Sequence, residues 1–311
     1  MKDSPSGTTI HTQTLLHTNV LKGFLLATSS LFLFACMDTT TKYLTAHYNV
    51  PFVVAMRYLV HFMIMVLLLA PRHAKQLVKT QRTGLVVVRA LVLTGASLCI
   101  GLALQRMPLA ETIAISFLAP TLVVLLAKSI LGEKIDGFGW LAVAIGFMGV
   151  LLIARPGSGL NALGVVFALL AAAANAGYQL LSRFLASTEK AITLLFYTAL
   201  VGSIVFSIAL PWFWEHKSPS NLELALFLGM GITGGLGHYL FTLAYRFAPA
   251  SILAPATYQL LLWAGLLGWL VFDTLPDALG MLGMGVIAVS GLMIAFKSHF
   301  TKPSPEKNKI D

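Results

Sequence analysis

Two long apolar stretches, residues 108–131 and 137–154, follow one another in the first half of the chain. Each is long enough to cross a hydrocarbon core of about 30 Å as a helix rising roughly 1.5 Å per residue. Only a short polar link at 132–136 separates them. The sequence therefore predicts an antiparallel pair of transmembrane helices at this point.

The same pair recurs later in the chain, at residues 244–296. Proline, glycine and loop acids return in the same order, at an offset of 141 that slips by one near the end. Recurrence of such punctuating residues at one offset indicates an internal duplication. The aligned pairs are Ala103 with Ala244, Pro108 with Pro249, Leu131 with Phe272, Asp136 with Asp277, and Gly139 with Gly280.

Composition supports a protein with many membrane crossings. Hydrophobic residues make up 57% of the 311 positions and charged residues 11%, whereas soluble domains carry about 25% charge. The two cysteines, Cys36 and Cys99, both lie in apolar stretches, which does not support a disulfide framework or a metal site. No cleavage site follows the first apolar run, so we expect the N-terminal segment to be retained.

We expect an all-α integral membrane protein with ten transmembrane helices. Short links, several marked by prolines such as Pro71 and Pro211, separate the spans. Five spans per half is an odd number, so the second half must enter the membrane from the opposite side, as in transporters with inverted-topology repeats. The expected spans are 22–44, 52–70, 85–105, 108–131, 137–154, 161–184, 191–211, 223–245, 249–272 and 277–297.

These spans divide the chain into four parts. A polar N-terminal tail at 1–20 is expected to be disordered or to lie on the membrane surface. The first five-span repeat occupies 21–156, the second occupies 157–297, and a basic tail follows at 298–311.

Basic residues in the links predict the orientation. With the N-terminus inside, sixteen Lys and Arg residues fall on the cytoplasmic side, against Arg106, Arg155 and Lys217 on the outer side. Because cytoplasmic loops carry the excess of positive charge, both termini are expected in the cytoplasm. This bias and the basic C-terminal tail account for the net charge of +9, so no nucleic-acid partner is required to explain it.

Four charged residues lie in the outer half of the first repeat: Asp38, Lys42, Arg57 and Glu111. Charges at membrane depth cost some kilocalories per mole, about 2.5–3.5 on insertion scales, so they usually face the interior and have partners. On a functional interpretation, Asp38 or Glu111 is protonatable and Arg57 binds an anion or gates the site. Alternatively, Lys42 reaches the interface, Arg57 pairs with Asp38, and Glu111 caps a helix.

The second repeat carries neutral polar groups that suit hydrogen bonding to an organic substrate. They serve equally well as contacts between helices, at about 0.6 kcal/mol each. Two prolines inside spans, Pro120 and Pro255, break helices where a transporter site could form, or simply kink them for packing. The polar candidates are Asn175, Tyr178, Gln179, His238, Tyr258 and Gln259.

One motif match is set aside because of its setting, and several other motifs are absent from the sequence. The run GMGITG at 229–234 matches a dinucleotide fingerprint, but it lies in an apolar span without a preceding strand, so helix packing through small residues is the better interpretation. The sequence has no Walker A motif, no HExxH motif and no Cys/His metal spacing. We expect no cofactor, no metal and no ATP-driven pump.

Nine motifs or residues form a recognisable set: DTTTKYL at 38–44, RY at 57–58, Arg89, PLAETIAISFLAP at 108–120, LGEK at 131–134, GFMGV at 146–150, RPG at 155–157, APATY at 254–258 and FDTLPD at 272–277. At these motifs the chain resembles the drug/metabolite transporter superfamily, and within it the EamA family with two EamA repeats. The resemblance covers about 20–297 and is nearest in motif to the branch with S-adenosylmethionine and riboflavin uptake carriers. It also adds Arg89 to the candidate residues.

The resemblance implies a carrier in the bacterial inner membrane that moves a small organic metabolite by alternating access, often coupled to a proton or another gradient. It implies a central cavity formed by spans 1, 3, 4, 6, 8 and 9, and it leaves open whether the carrier is a monomer or a homodimer. An exporter or facilitator of drugs and metabolites is the nearest alternative. An integral-membrane enzyme or lipid-handling protein would need an acid or histidine cluster at one membrane face, which the sequence lacks.

Overall fold

A computed structural model describes residues 7–119, 121–123, 126, 137–155, 158–185, 188–214, 218–244, 247, 253 and 257–300. Pro120, Pro255, the link at 131–136 and the basic tail beyond 300 lie outside the described residues. The described residues form helices without any strand, which confirms the all-helical prediction. The helices are α1 (Gly7–Thr45), α2 (Val50–Val78), α3 (Thr83–Arg106), α4 (Leu109–Ser116), α5 (Gly137–Ile153), α6 (Ala162–Leu185), α7 (Ala191–Phe213), α8 (Asn221–Ala244), α9 (Gln259–Phe272) and α10 (Ala278–Phe300).

Six of these helices are long and apolar enough to cross a membrane: α1, α2, α3, α6, α7 and α8. The described apolar parts of α4, α5, α9 and α10 are shorter. Six candidate crossings are therefore shown, and ten crossings stay a prediction.

The start of α1 and the places of two prolines differ from the prediction. Helix α1 begins at Gly7 and so includes most of the polar tail. Helix α2 continues through Pro71 to Val78, and α7 contains Pro211. A proline removes one backbone hydrogen bond of a helix but does not always end it, and the expectation that these prolines mark links was wrong.

Polar side chains define several helix starts. Asn161 Oδ1 accepts a hydrogen bond from the Gly164 backbone N–H at 3.0 Å before α6. At α8, Ser220 and Glu223 exchange bonds between side chain and backbone, at 2.8 and 3.3 Å. These contacts satisfy amide groups that have no partner in the first turn of a helix. They fix where the helices of the second repeat begin.

The helix contacts have the pattern expected of a duplicated protein. The most extensive contacts join α3 with α6 and α1 with α8, and α5 packs on α10 and α2 on α7. Helix α1 also contacts α9, as α6 contacts α4. Replacing each helix in the pairs named here by the one five places later or earlier returns the same pairs. The two halves are thus exchanged by a pseudo-twofold relation.

Glycines allow close approach at two helix interfaces, that of α5 with α10 and that of α8 with α2. A Cβ placed on Gly149 of α5 would lie 2.9 Å from the Gly283 carbonyl oxygen of α10, and the reverse distance is 2.8 Å. On α8, Gly231 faces Val60 and Gly235 faces the His61 ring, both on α2. The glycine-rich run at 229–234 therefore lies in a helix and packs against helices, as its apolar setting predicted.

Candidate functional site

A cavity of about 840 Å³ lies between the two halves. Helices α1–α4 and α6–α10, or the residues directly flanking them, contribute to its wall. The six spans expected around a cavity all take part, and α2, α7 and α10 join them. From the candidate residues, the first half contributes Asp38, Arg57 and Arg89, and the second half contributes Asn175, Tyr178, Gln179, His238 and Tyr258.

Arg89 is held in place by neutral groups. Its Nε donates to Ser182 Oγ at 2.7 Å, and its Nη2 donates to the Tyr178 hydroxyl at 2.7 Å. Its Nη1 donates to the Leu194 carbonyl oxygen at 3.2 Å and to Thr198 Oγ1 at 3.1 Å. The guanidinium also lies 4.3 Å from the centre of the Tyr178 ring, a cation–π contact. The side chain is 4% exposed, so a buried positive charge is fixed by α6 and α7.

Asp38 on α1 and Arg57 on α2 are the second charged feature of the cavity. Both are more than nine-tenths buried, and they lie close enough to interact electrostatically. Within the described part of the chain, however, no hydrogen bond or ion pair joins them. The Arg57 guanidinium lies 5.3 Å from the centre of the Tyr58 ring. The alternative that Arg57 simply pairs with Asp38 therefore lacks the expected contact.

Two histidines from different helices lie side by side in the wall of the cavity. The rings of His61 on α2 and His238 on α8 are nearly parallel, with centroids 6.3 Å apart, and Phe34 meets His238 edge-on at 4.8 Å. His61 was not among the candidate residues. It follows Arg57 by four positions, which places both on one helix face, and that spacing could have identified it.

Lys42 and Glu111 lie outside the cavity lining. The Lys42 Nζ donates to the Leu104 and Met107 carbonyl oxygens, at 2.9 and 2.6 Å. It thus satisfies carbonyl groups at the end of α3, which have no partner within the helix. Glu111, in the first turn of α4, is 8% exposed, and its Oε2 has no hydrogen-bond partner in the described residues.

Further polar and aromatic groups complete the wall. Tyr258 packs against Phe117, with ring centroids 5.2 Å apart, and its hydroxyl lies directly against Gly291. The Tyr58 hydroxyl shares a hydrogen bond of 2.8 Å with Ser97. Gln259, at the start of α9, is half-buried and is not among the lining residues.

No group of three or more His, Cys, Asp or Glu residues that could hold a metal ion occurs in the described ranges.

Outside the cavity, Arg155 at the end of α5 forms an ion pair with Asp277 at the start of α10. Asp277 Oδ1 also accepts a bond from the Gly280 backbone N–H at 2.7 Å. That N–H and the Arg155 guanidinium lower the pKa of Asp277. One carboxylate thus caps α10 and links it to α5.

The model of the EamA-like transporter family matches twice, at residues 21–155 and 162–296. The chain belongs to this family. The two matches cover the two halves that the helix contacts relate, so the predicted pair of EamA repeats is confirmed.

Proteins of similar sequence with curated names include several transporters. The S-adenosylmethionine uptake transporter of Rickettsia felis is 26% identical over 224 residues, which are 72% of this chain and 76% of that protein. The pseudopaline exporter CntI of Pseudomonas aeruginosa is 27% identical over 276 residues, covering 88% and 95% of the two chains. An uncharacterized transporter of Helicobacter pylori is 30% identical over 198 residues, covering 62% and 66%.

A solved crystal structure has the same fold. It superposes with a TM-score of 0.60 over 87% of this chain and 97% of the other, at 16% sequence identity. Family, relatives and apolar helices together identify a membrane transporter. The named relatives include one uptake carrier and one exporter, so they differ in the direction in which they move their solutes.

Proposed function

We propose that the protein is a secondary transporter that moves a small organic metabolite across the bacterial inner membrane by alternating access. The observation that carries the proposal is the charged cavity between two pseudo-symmetric halves, with Asp38 and Arg57 on one side and Arg89 on another. Carriers with inverted repeats bind their substrates at such a repeat interface. A volume of about 840 Å³ falls within the usual range of small-molecule sites.

The proposed topology has ten crossings and both termini in the cytoplasm. In this arrangement Arg89 belongs to the inner half of the cavity, because it lies near the start of α3, and Asp38 and Arg57 belong to the outer half. Rocking of one half against the other would expose these groups to the two sides in turn. The chain acts as a carrier and not as an enzyme, either alone or as a homodimer.

Coupling to a gradient completes the proposal. Asp38 is the acidic residue among the described groups that line the cavity, and it is the proposed carrier of a coupling proton. His61 and His238 line the same cavity. An exporter or an uncoupled facilitator is the second candidate, since the relatives include an exporter.

Uptake into proteoliposomes tests the function. Purified protein is reconstituted and offered labelled S-adenosylmethionine, riboflavin and a range of amino acids, with and without an imposed pH gradient. Saturable accumulation driven by the gradient is expected for at least one compound. Equilibration without accumulation would leave a facilitator, and no movement of any compound, in or out, would contradict the transporter function.

A further inference from the structure

Asp38 and Arg57 are an unusual pair of buried charges. Asp38 is 7% and Arg57 is 8% exposed, and both line the cavity. Neither side chain has a hydrogen-bond or ion-pair partner among the groups that the structure describes. Removing a charge from water is costly unless it is paired. Two opposite charges that face one cavity and do not pair are therefore ready to bind a ligand.

The chemistry of the two groups specifies the ligand. A carboxylate accepts hydrogen bonds from an ammonium group, and the planar guanidinium donates two parallel bonds to a carboxylate. A molecule with neighbouring ammonium and carboxylate groups would satisfy both side chains at once. This arrangement is the head group of an amino acid.

Arg89 adds a second positive charge. Four of its N–H groups are bound by Ser182, Tyr178, Thr198 and the Leu194 carbonyl, and a guanidinium has five. One N–H donor of Arg89 and the whole positive charge of its guanidinium therefore remain available to a ligand. No described carboxylate lies within ion-pair distance of it, whereas buried arginines are ordinarily paired.

We propose that the transported solute is an amino-acid-type zwitterion that carries a second acidic group. Its ammonium binds Asp38, its carboxylate binds Arg57, and the second acid binds Arg89. The inference rests on the proposed transport function and narrows its substrate class. Among the described lining residues, two arginines face one aspartate, so a net positive solute such as S-adenosylmethionine, with its sulfonium charge, is disfavoured.

A ligand series on the unmodified protein tests the class. Two quantities are measured with L-glutamate, L-2-aminoadipate and γ-L-glutamylglycine. One is the inhibition of labelled L-glutamate uptake into proteoliposomes, and the other is the thermal stabilisation of the purified protein. Matched compounds lack one group each: glutamine lacks the second acid, glutarate the ammonium and 4-aminobutyrate the α-carboxylate. Each loss should weaken binding about tenfold or more, as expected for hydrogen bonds to charged groups.

A second comparison uses two large compounds that differ in one charge. S-adenosylhomocysteine has the skeleton of S-adenosylmethionine without the methyl group and the sulfonium charge. The uncharged-sulfur compound is expected to bind more tightly of the two. Tighter binding of S-adenosylmethionine, equal binding of glutamine and glutamate, or no binding of any aminodicarboxylate would overturn the inference.

Variants assign each group to its residue. Asp38→Asn should weaken glutamate but not glutarate, Arg57→Gln should weaken glutamate but not 4-aminobutyrate, and Arg89→Gln should abolish the preference for glutamate over glutamine. A general loss of packing would weaken all compounds alike. Matched controls outside the cavity are Asp273→Asn and Arg106→Gln, which should change no preference.

The two proposals fail in different ways. If the protein accumulates another solute but ignores charge within the series, the substrate class is wrong and the transport function stands. If no solute moves in any assay and no compound of the series binds, both proposals fall. Binding that follows the charge order without any transport would support the site and contradict the carrier.

Discussion

Single residues show which candidate side chains serve the cavity and which serve the helices. Asp38, Arg57 and Arg89 line the cavity, whereas Lys42 binds the end of α3. The sequence indicated Asp38, Lys42 and Arg57 as candidates because charges in apolar spans are rare, and the family resemblance added Arg89. It could not separate Asp38 from Lys42, which lie one turn apart on α1, because the distinction depends on the carbonyl groups of another helix.

Asp38→Asn is expected to leave an inserted protein whose transport no longer responds to pH. The amide keeps the shape of the carboxylate but cannot take up or release the coupling proton. Uptake into proteoliposomes over a series of pH values measures the response, and Asp273→Asn serves as the control. If the variant transports like the parent protein at every pH, Asp38 has no part in coupling.

Lys42→Met is expected to destabilise the protein without changing which solutes it recognises. The methionine keeps the length of the side chain but leaves the Leu104 and Met107 carbonyl oxygens without their charged donor. Hydrogen bonds to charged groups are worth about 1.5–3 kcal/mol each. Thermal unfolding in detergent measures the loss, and Lys190→Met, at an exposed lysine, should have little effect. An unchanged midpoint would show that the contact contributes nothing to stability.

At the scale of helices, periodicity and length predicted where apolar segments lie, and the structure agrees for most of them. The helix ends were harder to predict, since α2 passes through Pro71 and α1 includes polar residues from Gly7 onward. A proline in the sequence indicates only that one backbone hydrogen bond of a helix is missing. Whether the helix continues past it depends on the helices packed against it. The packing of α5 on α10 through Gly149 and Gly283 likewise needs both helices in place.

Gly149→Ala is expected to destabilise the α5–α10 contact. The added Cβ would lie 2.6 Å from Ile287 Cγ1 and 2.9 Å from the Gly283 carbonyl oxygen, and overpacking of this kind costs about 1–3 kcal/mol. Gly95→Ala on α3 is the control, because nothing lies within 4 Å of its Cβ position. Thermal unfolding compares the two variants. Equal stability of both would mean that α5 and α10 separate without cost.

Asp277→Asn tests the link between α5 and α10 through pH. The lowered pKa of Asp277 means that its pairing stabilises the protein above the ordinary acid range of about 3.9, and that this contribution is lost as the pH falls through the lowered value. The parent protein should therefore be more stable than the variant at pH 7, and the difference should vanish in strong acid. Unfolding measured over that range checks the sign. A difference that grows in acid would contradict it.

For the whole molecule, the duplication was visible in the sequence as recurring Pro, Gly and Asp residues. The cavity was not visible, because its wall combines side chains from nine helices that only the pseudo-twofold packing brings together. His61 on α2 and Thr198 on α7 line it, although the family resemblance did not place these two helices around the cavity. The charge distribution of the cavity, with two arginines and one aspartate, follows from that assembly.

The most direct test of alternating access is labelling of a single cysteine in the cavity from each side of the membrane. Ser116→Cys, at a half-buried lining residue, is made in a background with Cys36 and Cys99 replaced by alanine. A membrane-impermeant thiol reagent should reach it from either side, and transported solute should slow the reaction from both. Labelling from one side only, under every condition, would contradict a carrier that opens to both sides.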